Sequence, residues 1–211
     1  GVRGPWAPPR VVFQAVSVRR VFRTAPSHAA WTMGRVSDRE FWTIGHWTCP
    51  QDAFLRPLLG QDVDLIADVR AQPGSRRSPQ FGRDVLPGWL EDAGIGYLHL
   101  PELGGRRPKQ PVDPAVNGGW TNDSFHRYAD YTLTDEYETG IARLASLADE
   151  HRVALLCGEP MPWRCHRSLI ANTLTARGGQ VWHLMGDAAP RLHELGAWGA
   201  TPVVDDGVVT Y

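Results

Sequence analysis

The sequence predicts a single α/β domain with a mainly parallel, Rossmann-like sheet and helices on both faces. Along residues 41–184, short apolar runs of strand length alternate with stretches of helical periodicity. Strands that alternate with helices imply right-handed crossovers between parallel strands. The chain of 211 residues is long enough for one well-buried core and too short for two average domains with linkers.

The first half of this domain is predicted to run strand, helix, strand, helix, strand, at residues 41–45, 52–59, 64–69, 85–93 and 96–100. Its first helix carries an apolar stripe of Phe54, Leu55, Leu58 and Leu59. Gly94 follows the second helix and is typical of a helix end.

A long segment rich in Gly and Pro follows at residues 101–122, with the basic stretch GGRRPKQ inside it. A segment of this length is typical of a lid, a binding loop or a disordered insert. Further helices are predicted at 123–133, at 134–150 with Thr134 as N-cap, and at 166–177. The last two strands are predicted at 153–157 (VALLC) and 180–184.

The two ends of the chain are expected to lie outside the domain. Residues 1–33 contain several Arg and Pro and little periodicity, which predicts a disordered extension, with the working protein starting near Met33. The alternative is a basic tail that touches a partner. Residues 185–211 are predicted to form a peripheral helix and tail.

The composition argues against several classes of protein. The net charge of −1 argues against a whole-protein polyelectrolyte, so any nucleic-acid contact must come from a local patch. No run approaches the roughly 20 apolar residues that cross a bilayer, so no membrane association is expected. Three cysteines form no disulfide framework, and a reducing, cytoplasmic location is expected.

Polar groups follow each predicted strand, and the carboxyl ends of parallel strands meet at one crevice. His46 follows the first strand and Asp68 and Arg70 the second. The loop after the second strand, which is rich in Arg, and the segments after the third and fourth strands contribute further candidates. These are Ser75, Arg76, Arg77, Gly104, Gly105, Cys157, Glu159, Cys165, His166 and Arg167. A polar pocket at this end of the sheet is therefore predicted.

Asp68 and the following arginines each permit two interpretations. Asp68 is either a catalytic base or electrostatic stabiliser, or a structural partner of Arg70. From Arg70 to Arg83 there are four Arg and no acid, which suits phosphate or carboxylate because guanidinium binds these groups through two hydrogen bonds. The alternative is a solvated basic loop.

The segment CGEPMPWRCHR, residues 157–167, is the most distinctive of the chain. Cys165 and His166 precede a predicted helix, where a thiol pKa falls and an anion finds backbone N–H groups. For Cys157, core packing is the favoured interpretation. Glu159 is a second candidate acid or base, across the crevice from Asp68.

A metal is a further alternative for the same segment. Cys157, Cys165 and His166, with His46 as fourth ligand, could bind zinc or iron. The spacing of the two cysteines is not that of a usual zinc knuckle, so no cofactor is expected.

Four stretches together resemble the DUF488 family of bacterial proteins: WTIGH, DLIADVRAQPGSRRSPQF, GYLHLPELGG and LLCGEPMPWRCHR. The similarity covers about residues 42–184. It implies family positions at His46, Asp68, Arg70, Ser75, Arg76, Phe81, Tyr97, Gly104, Gly105, Tyr128, Cys157, Glu159, Cys165, His166 and Arg167. Trp47 departs from the pattern, in which a small polar residue such as Ser is more usual. The resemblance implies little chemistry.

The favoured hypothesis is an enzyme, a hydrolase or transferase, for an anionic nucleotide or nucleic-acid-derived substrate. Arg70, Arg76 and Arg167 would hold phosphate, and Tyr97, Trp120 or Tyr128 would stack on a base. Asp68 and Glu159 would act as acid and base, and His46, Cys165 and His166 in proton transfer or nucleophilic assistance. The alternatives are a non-catalytic nucleic-acid-binding module and a metal-dependent hydrolase or metal/thiol sensor. Arg70→Ala is expected to weaken ligand binding without unfolding the domain.

Overall fold

A computed structural model describes residues 36–74 and 77–211, and the predicted extension at 1–33 lies outside them. Six strands form one sheet in the order β3-β2-β4-β1-β5-β6. The strands are β1 (Glu40–Gly45), β2 (Leu65–Asp68), β3 (Gly96–His99), β4 (Val153–Cys157), β5 (Gln180–Leu184) and β6 (Arg191–Leu192). All neighbours are parallel except β6, which is antiparallel to β5 at the edge. The predicted mainly parallel sheet is confirmed.

Helices cover both faces of the sheet, as predicted. They are α1 (Gln51–Leu59), α2 (Leu86–Asp92), α3 (Asp123–Tyr131), α4 (Asp135–Leu147) and α5 (Arg167–Ala176). Successive residues of β4 point to opposite faces, so Leu155 joins the core under α3–α5 while Leu156 joins the core under α1 and α2. Among the described residues, no helix has both the length and the apolar character needed to cross a bilayer.

The register of the central strands fixes the position of the site. Gly45 at the end of β1 pairs with Cys157 at the end of β4, and Asp68 at the end of β2 pairs with Leu156. On the other side of β2, Asp68 pairs with His99. Four parallel strands therefore end at nearly the same level, and the loops that follow them meet there.

The segment after β5 differs from its prediction. The expected peripheral helix within 185–211 is wrong, because the structure has β6 and a hairpin of β7 (Val203–Asp205) and β8 (Val208–Thr210) there. Gly196 and Gly199 have φ of 73° and 87°. These left-handed conformations suit glycine and interrupt a helix.

A buried chain of polar groups ties this last segment to the sheet. Asn172 Nδ2 donates to Tyr211 Oη at 2.8 Å, so its Oδ1 accepts from Nε2 of His193 at 2.9 Å. Nδ1 of His193 must then accept from Nε2 of His183 at 3.0 Å, and Nδ1 of His183 accepts from the Thr43 hydroxyl at 2.7 Å. This assignment leaves both imidazoles neutral.

The neutral pair predicts a loss of stability in mild acid. Burial lowers the pKa of His183 to about 3 and that of His193 to about 4, from an ordinary value of 6.5. As the pH falls below 6.5 the unfolded chain binds protons first, so the stabilisation is complete above that pH and is lost towards pH 4. We expect the two histidines to lower the free energy of unfolding by about 2–4 kcal/mol between pH 7.5 and pH 5. Urea denaturation across this range measures the slope, and an unchanged slope in His193→Gln would contradict the assignment.

Candidate active site

The loops at the carboxyl ends of β1–β4 surround a cavity of about 580 Å³. The start of α3 closes one side of it. The lining residues are His46, Trp47, Thr48, Arg70, Ala71, Gln72, Gly74, Arg77, Ser78, Gly105, Arg106, Ser124, Phe125, Tyr128, Cys157, Gly158, Glu159, Arg164, Cys165 and His166. The structure thus places a cavity where the sequence predicted a pocket.

Most of the candidate residues named from the sequence reach this cavity. Those that line it are His46, Arg70, Arg77, Gly105, Tyr128, Cys157, Glu159, Cys165 and His166. Those that do not are Asp68, Tyr97, Gly104, Trp120 and Arg167. Ser75 and Arg76 lie outside the described residues. Asp68, Trp120 and Arg167 support residues of the cavity wall from behind.

Asp68 forms a buried ion pair at the end of β2. Its carboxylate is fully buried and accepts from Nε and Nη2 of Arg70, at 2.9 and 2.6 Å. The Tyr97 hydroxyl donates to the same carboxylate at 2.7 Å. These hydrogen bonds favour the structural interpretation of Asp68 over the catalytic base, because its oxygen atoms are engaged away from the cavity.

Tyr97 and Trp120 do not supply the predicted stacking surface. The ring of Tyr97 packs on the core under α1 and α2, and burial together with the Asp68 carboxylate raises its pKa. Trp120 stacks on Phe125 with ring centroids 4.8 Å apart. Phe125 itself lines the cavity, so Trp120 acts as its support.

Arg70 and His46 form a second fixed pair in the cavity wall. Nη1 of Arg70 donates to the Phe81 carbonyl at 2.8 Å and to Nε2 of His46 at 3.3 Å. Nδ1 of His46 then carries the proton and donates to the Trp47 carbonyl at 2.7 Å, while the ring stacks on Phe81 at 4.4 Å. Burial lowers the pKa of His46 to about 4, so it is neutral near pH 7. Both ring nitrogens are engaged, which makes His46 a positioning residue for Arg70 rather than a proton carrier.

Cys165 lies in the loop directly before α5, and its sulfur is the centre of a set of hydrogen bonds. Sγ accepts from Nε of Arg167 at 3.3 Å and lies 3.6 Å from Nδ1 of His166. Burial alone would raise the pKa of Cys165, but the hydrogen bond from Cys157 and the Arg167 guanidinium outweigh it and lower the pKa to about 6. Cys165 is therefore mostly a thiolate at neutral pH.

Cys157 is the complementary thiol. Its hydrogen bond to Cys165, together with burial, raises the pKa of Cys157 to about 12. It is half-buried at the end of β4 and lines the cavity, so the favoured expectation of simple core packing is wrong. The two sulfur atoms thus differ in protonation although they are neighbours.

Arg167 lies beneath the sulfur and is fully buried. Besides its bond to Cys165, its Nη2 donates to the Glu159 carbonyl, and Nη1 has no hydrogen-bond partner among the described residues. Since Arg167 does not line the cavity, the prediction that it holds substrate phosphate is wrong. The positive charge of Arg167 instead stabilises the Cys165 thiolate.

His166 faces the same sulfur from the side. Nε2 lies 3.0 Å from the Val69 carbonyl and donates to it, because a carbonyl oxygen can only accept. Nδ1 is therefore the atom that faces Cys165. A Cβ at Gly105 would lie 2.3 Å from this nitrogen, so only glycine permits the close approach of that loop. Tyr128, whose ring centroid lies 4.9 Å from that of His166, packs behind it.

The charge of the cavity wall is strongly positive. Four arginines line it, namely Arg70, Arg77, Arg106 and Arg164, and Glu159 is the one acid among the lining residues. Arg77, Arg106 and Arg164 are exposed at its rim. Arg164 was missed from the sequence, although its position next to Cys165 was the available signal.

Ser124 and Phe125, in the first turn of α3, also line the cavity and were missed, because a residue in a helical stretch carries no sequence signal for a cavity wall. Trp47, the departure from the family pattern, lines the cavity as well and is more than half exposed at 55%, with φ of 42°. Phe125 and Trp47 replace Tyr97 and Trp120 as the aromatic surfaces that a planar ligand could contact.

Cys157, Cys165 and His166 also form a group that could hold a metal ion. Their ligand atoms lie within 4.8 Å of one another. His46, the fourth ligand considered from the sequence, is not part of this group, because it is bound to Arg70 and the Trp47 carbonyl.

Comparison with known proteins identifies a family and leaves its chemistry open. The family model described as "Domain of unknown function DUF488" matches residues 50–174, more than half of the chain. The match contains every cavity residue from Arg70 onward, while His46 precedes it. No curated protein and no solved structure matches the chain. The chain therefore belongs to the DUF488 family, a domain of unknown function.

Proposed function

We propose that this protein is an enzyme, a hydrolase or transferase, that binds an anionic nucleotide or nucleic-acid-derived substrate and attacks it with the Cys165 thiolate. One observation carries the proposal: Sγ of Cys165 lies at an arginine-lined cavity and accepts a hydrogen bond from a fully buried arginine. A buried cation that faces a sulfur atom stabilises the anion that acts as nucleophile.

The rim supports recognition of an anion. Arg77, Arg106 and Arg164 are exposed cations whose guanidinium groups suit phosphate oxygens. Arg70 is fixed by Asp68, so it presents a preorganised charge in the wall. Together these groups favour a phosphate-bearing ligand over a neutral one.

The aromatic side chains of the wall support recognition of a base. Phe125 is held by Trp120 behind it, and Trp47 is exposed beside the loop after β1. Stacking on such rings tolerates different bases, because every base has a π-face. A nucleotide would present a phosphate to the arginines and a planar ring to one of these side chains.

The reaction can be written in two balanced halves. The thiolate attacks an electrophilic atom of the substrate, so that a bond to Sγ forms while the bond to the leaving group breaks. Nδ1 of His166, 3.6 Å from the sulfur, is placed to relay a proton from solvent to the leaving group. Water or a second acceptor, which loses its proton to Glu159, then attacks the same atom, and the thiolate departs.

Calorimetry tests the recognition step by comparing the affinity for a nucleoside 5′-monophosphate with the affinity for the same nucleoside without its phosphate. We expect Arg106→Ala to weaken binding of the monophosphate about tenfold or more, since a hydrogen bond to a charged group contributes about 1.5–3 kcal/mol. Lys109→Ala is the matched control, because Lys109 is exposed on the same loop and does not line the cavity. Equal losses for both variants, or no preference for the monophosphate, would contradict the proposal.

A non-catalytic nucleic-acid-binding module is the alternative that the exposed arginines favour. Such a module would contact several phosphates, and its affinity for single-stranded DNA would fall steeply between low and moderate salt. A small anionic substrate shows a weaker dependence on salt. Steep salt dependence combined with an unreactive Cys165 would favour the module.

A metal-dependent hydrolase or metal sensor is favoured by the group of Cys157, Cys165 and His166. Two thiolates and one imidazole resemble an open zinc site. An argument against a metal is that the Arg167 guanidinium already donates a hydrogen bond to Sγ of Cys165, and its positive charge would repel a cation there. The metal content of protein purified without a histidine tag distinguishes the two possibilities. About one equivalent of zinc or iron per chain, lost in Cys165→Ser, would establish the metal site.

A further inference from the structure

We propose that Cys157 and Cys165 form a dithiol site that reacts with a hydroperoxide and closes into a reversible disulfide. Their two sulfur atoms lie within 4.8 Å of one another, and both residues line the same cavity. This inference goes beyond the proposed function, because it concerns the two sulfur atoms and an oxidant rather than a nucleotide substrate.

The reaction requires one sulfur atom as a thiolate, which attacks the peroxide, and a neighbouring thiol, which forms the disulfide. Sγ of Cys165 accepts a hydrogen bond from the buried Arg167 guanidinium, which favours the thiolate, whereas burial and the neighbouring Cys165 sulfur raise the pKa of Cys157 and keep it protonated. A thiolate reacts with peroxide and a thiol does not, so the first step selects Cys165. Cys157 is then the neighbouring thiol that resolves the oxidised product.

The positive charge around the sulfur favours the first step. The Arg167 guanidinium contacts Sγ directly, and Arg70 and Arg164 line the cavity in front of it. As the oxygen–oxygen bond breaks, negative charge develops on the departing oxygen, and these cations stabilise it.

The two steps balance. The Cys165 thiolate attacks one oxygen of the hydroperoxide, so that a sulfur–oxygen bond forms and the oxygen–oxygen bond breaks. The departing oxygen takes a proton from solvent and leaves as water or an alcohol. The Cys157 sulfur then attacks the resulting sulfenic acid, the sulfur–sulfur bond forms, and hydroxide leaves with the Cys157 proton as water. The sulfurs lose two electrons, and the peroxide gains them.

Closure requires the two free sulfur atoms to move closer together. A disulfide needs a sulfur–sulfur distance of about 2 Å, shorter than the separation in the reduced protein. Cys157 is the last residue of β4, and Cys165 lies in extended backbone between a turn and α5. The resulting disulfide would remove the nucleophile of the proposed reaction until a thiol reductant restored it.

Cys49 provides the internal control. It is the remaining cysteine of the three in the chain, it does not line the cavity, and its thiol donates to the His46 carbonyl at 2.8 Å. Burial raises the pKa of Cys49, so it is a protonated thiol. Unselective oxidation would affect it as readily as the other two.

Mass spectrometry tests the proposal. The reduced protein is treated with hydrogen peroxide and then with N-ethylmaleimide under denaturing conditions. We expect a loss of about 2 Da, one maleimide on Cys49, and a linked peptide that joins Cys157 to Cys165. Dithiothreitol should restore three reactive thiols. Cys49→Ser should form the disulfide at an unchanged rate.

Two further variants make the result decisive. In Cys157→Ser, the sulfenic acid on Cys165 has no resolving thiol and should be trapped by dimedone, whereas Cys165→Ser should leave Cys157 unoxidised. We expect Cys165 to react about tenfold or more faster than Cys49. A disulfide that involves Cys49, equal oxidation of Cys49 and Cys165, or three unmodified thiols after treatment would overturn the proposal. Because no nucleotide is present, none of these outcomes depends on the proposed substrate.

Discussion

Asp68→Ala is expected to lower the free energy of unfolding by about 3–5 kcal/mol, because it leaves a buried guanidinium without its counterion. The side chains of Asp68 and Arg70 are 0% and 6% exposed, and Nη2 of Arg70 lies 2.6 Å from the carboxylate. The variant also leaves the Tyr97 hydroxyl without its acceptor. Urea denaturation at neutral pH measures the loss.

An exposed ion pair supplies the matched control for this prediction. Asp149 pairs with Arg39 at 2.7 Å on the surface, so Asp149→Ala should change stability little. The double variant Asp68→Ala/Arg70→Met should recover part of the loss, since it removes the unpaired charge as well. A loss for Asp68→Ala no larger than that for Asp149→Ala would show that the pair does not hold the cavity wall. The same contacts argue that Arg70→Ala would destabilise the domain, in contrast to the expectation from the sequence.

Arg167→Met is expected to raise the pKa of Cys165 from about 6 towards the ordinary thiol value of about 8.5 and to slow its alkylation at pH 7 about tenfold or more, since an ordinary thiol is only a few per cent thiolate at that pH. Methionine fills much of the buried space and removes the guanidinium that donates to Sγ at 3.3 Å. The rate of reaction with iodoacetamide, followed by peptide mass spectrometry, measures the effect. Circular dichroism shows whether the variant is folded.

Arg164→Met distinguishes a contact from a general charge effect. Arg164 lines the same cavity next to Cys165, but its side chain is exposed. Its loss should change the alkylation rate much less than the loss of Arg167. Equal slowing in both variants would mean that the overall charge of the cavity, rather than the buried hydrogen bond, sets the pKa of the thiol.

The fold was predictable because its strands carry the strongest signals in the chain. Strands β4 (Val153–Cys157) and β5 (Gln180–Leu184) have the predicted bounds, since β4 is an apolar run and β5 is a short, mainly apolar stretch that follows two glycines. The segment after β5 was not predictable in the same way. Its strands are short and mostly exposed, and they lack the alternation that marks a half-buried strand.

The location of the site followed from topology, and the roles within it did not. Loops after parallel strands converge wherever they lie in sequence, so Arg70, Cys157 and Cys165 were expected together. Which way each side chain points depends on packing. Asp68 and Arg167 are buried behind the wall, and a sequence cannot distinguish such supporting residues from those that face the cavity.

The pH dependence of Cys165 alkylation in the unmodified protein tests the central claim most directly, since that claim is a thiolate accessible from the cavity at neutral pH. Iodoacetamide is small enough to probe the cavity, and peptide mass spectrometry separates Cys165 from Cys49 and Cys157. We expect the Cys165 rate to reach half its maximum near pH 6. A midpoint at or above about 8.5, the value of an ordinary thiol, or no reaction at any pH, would contradict the account.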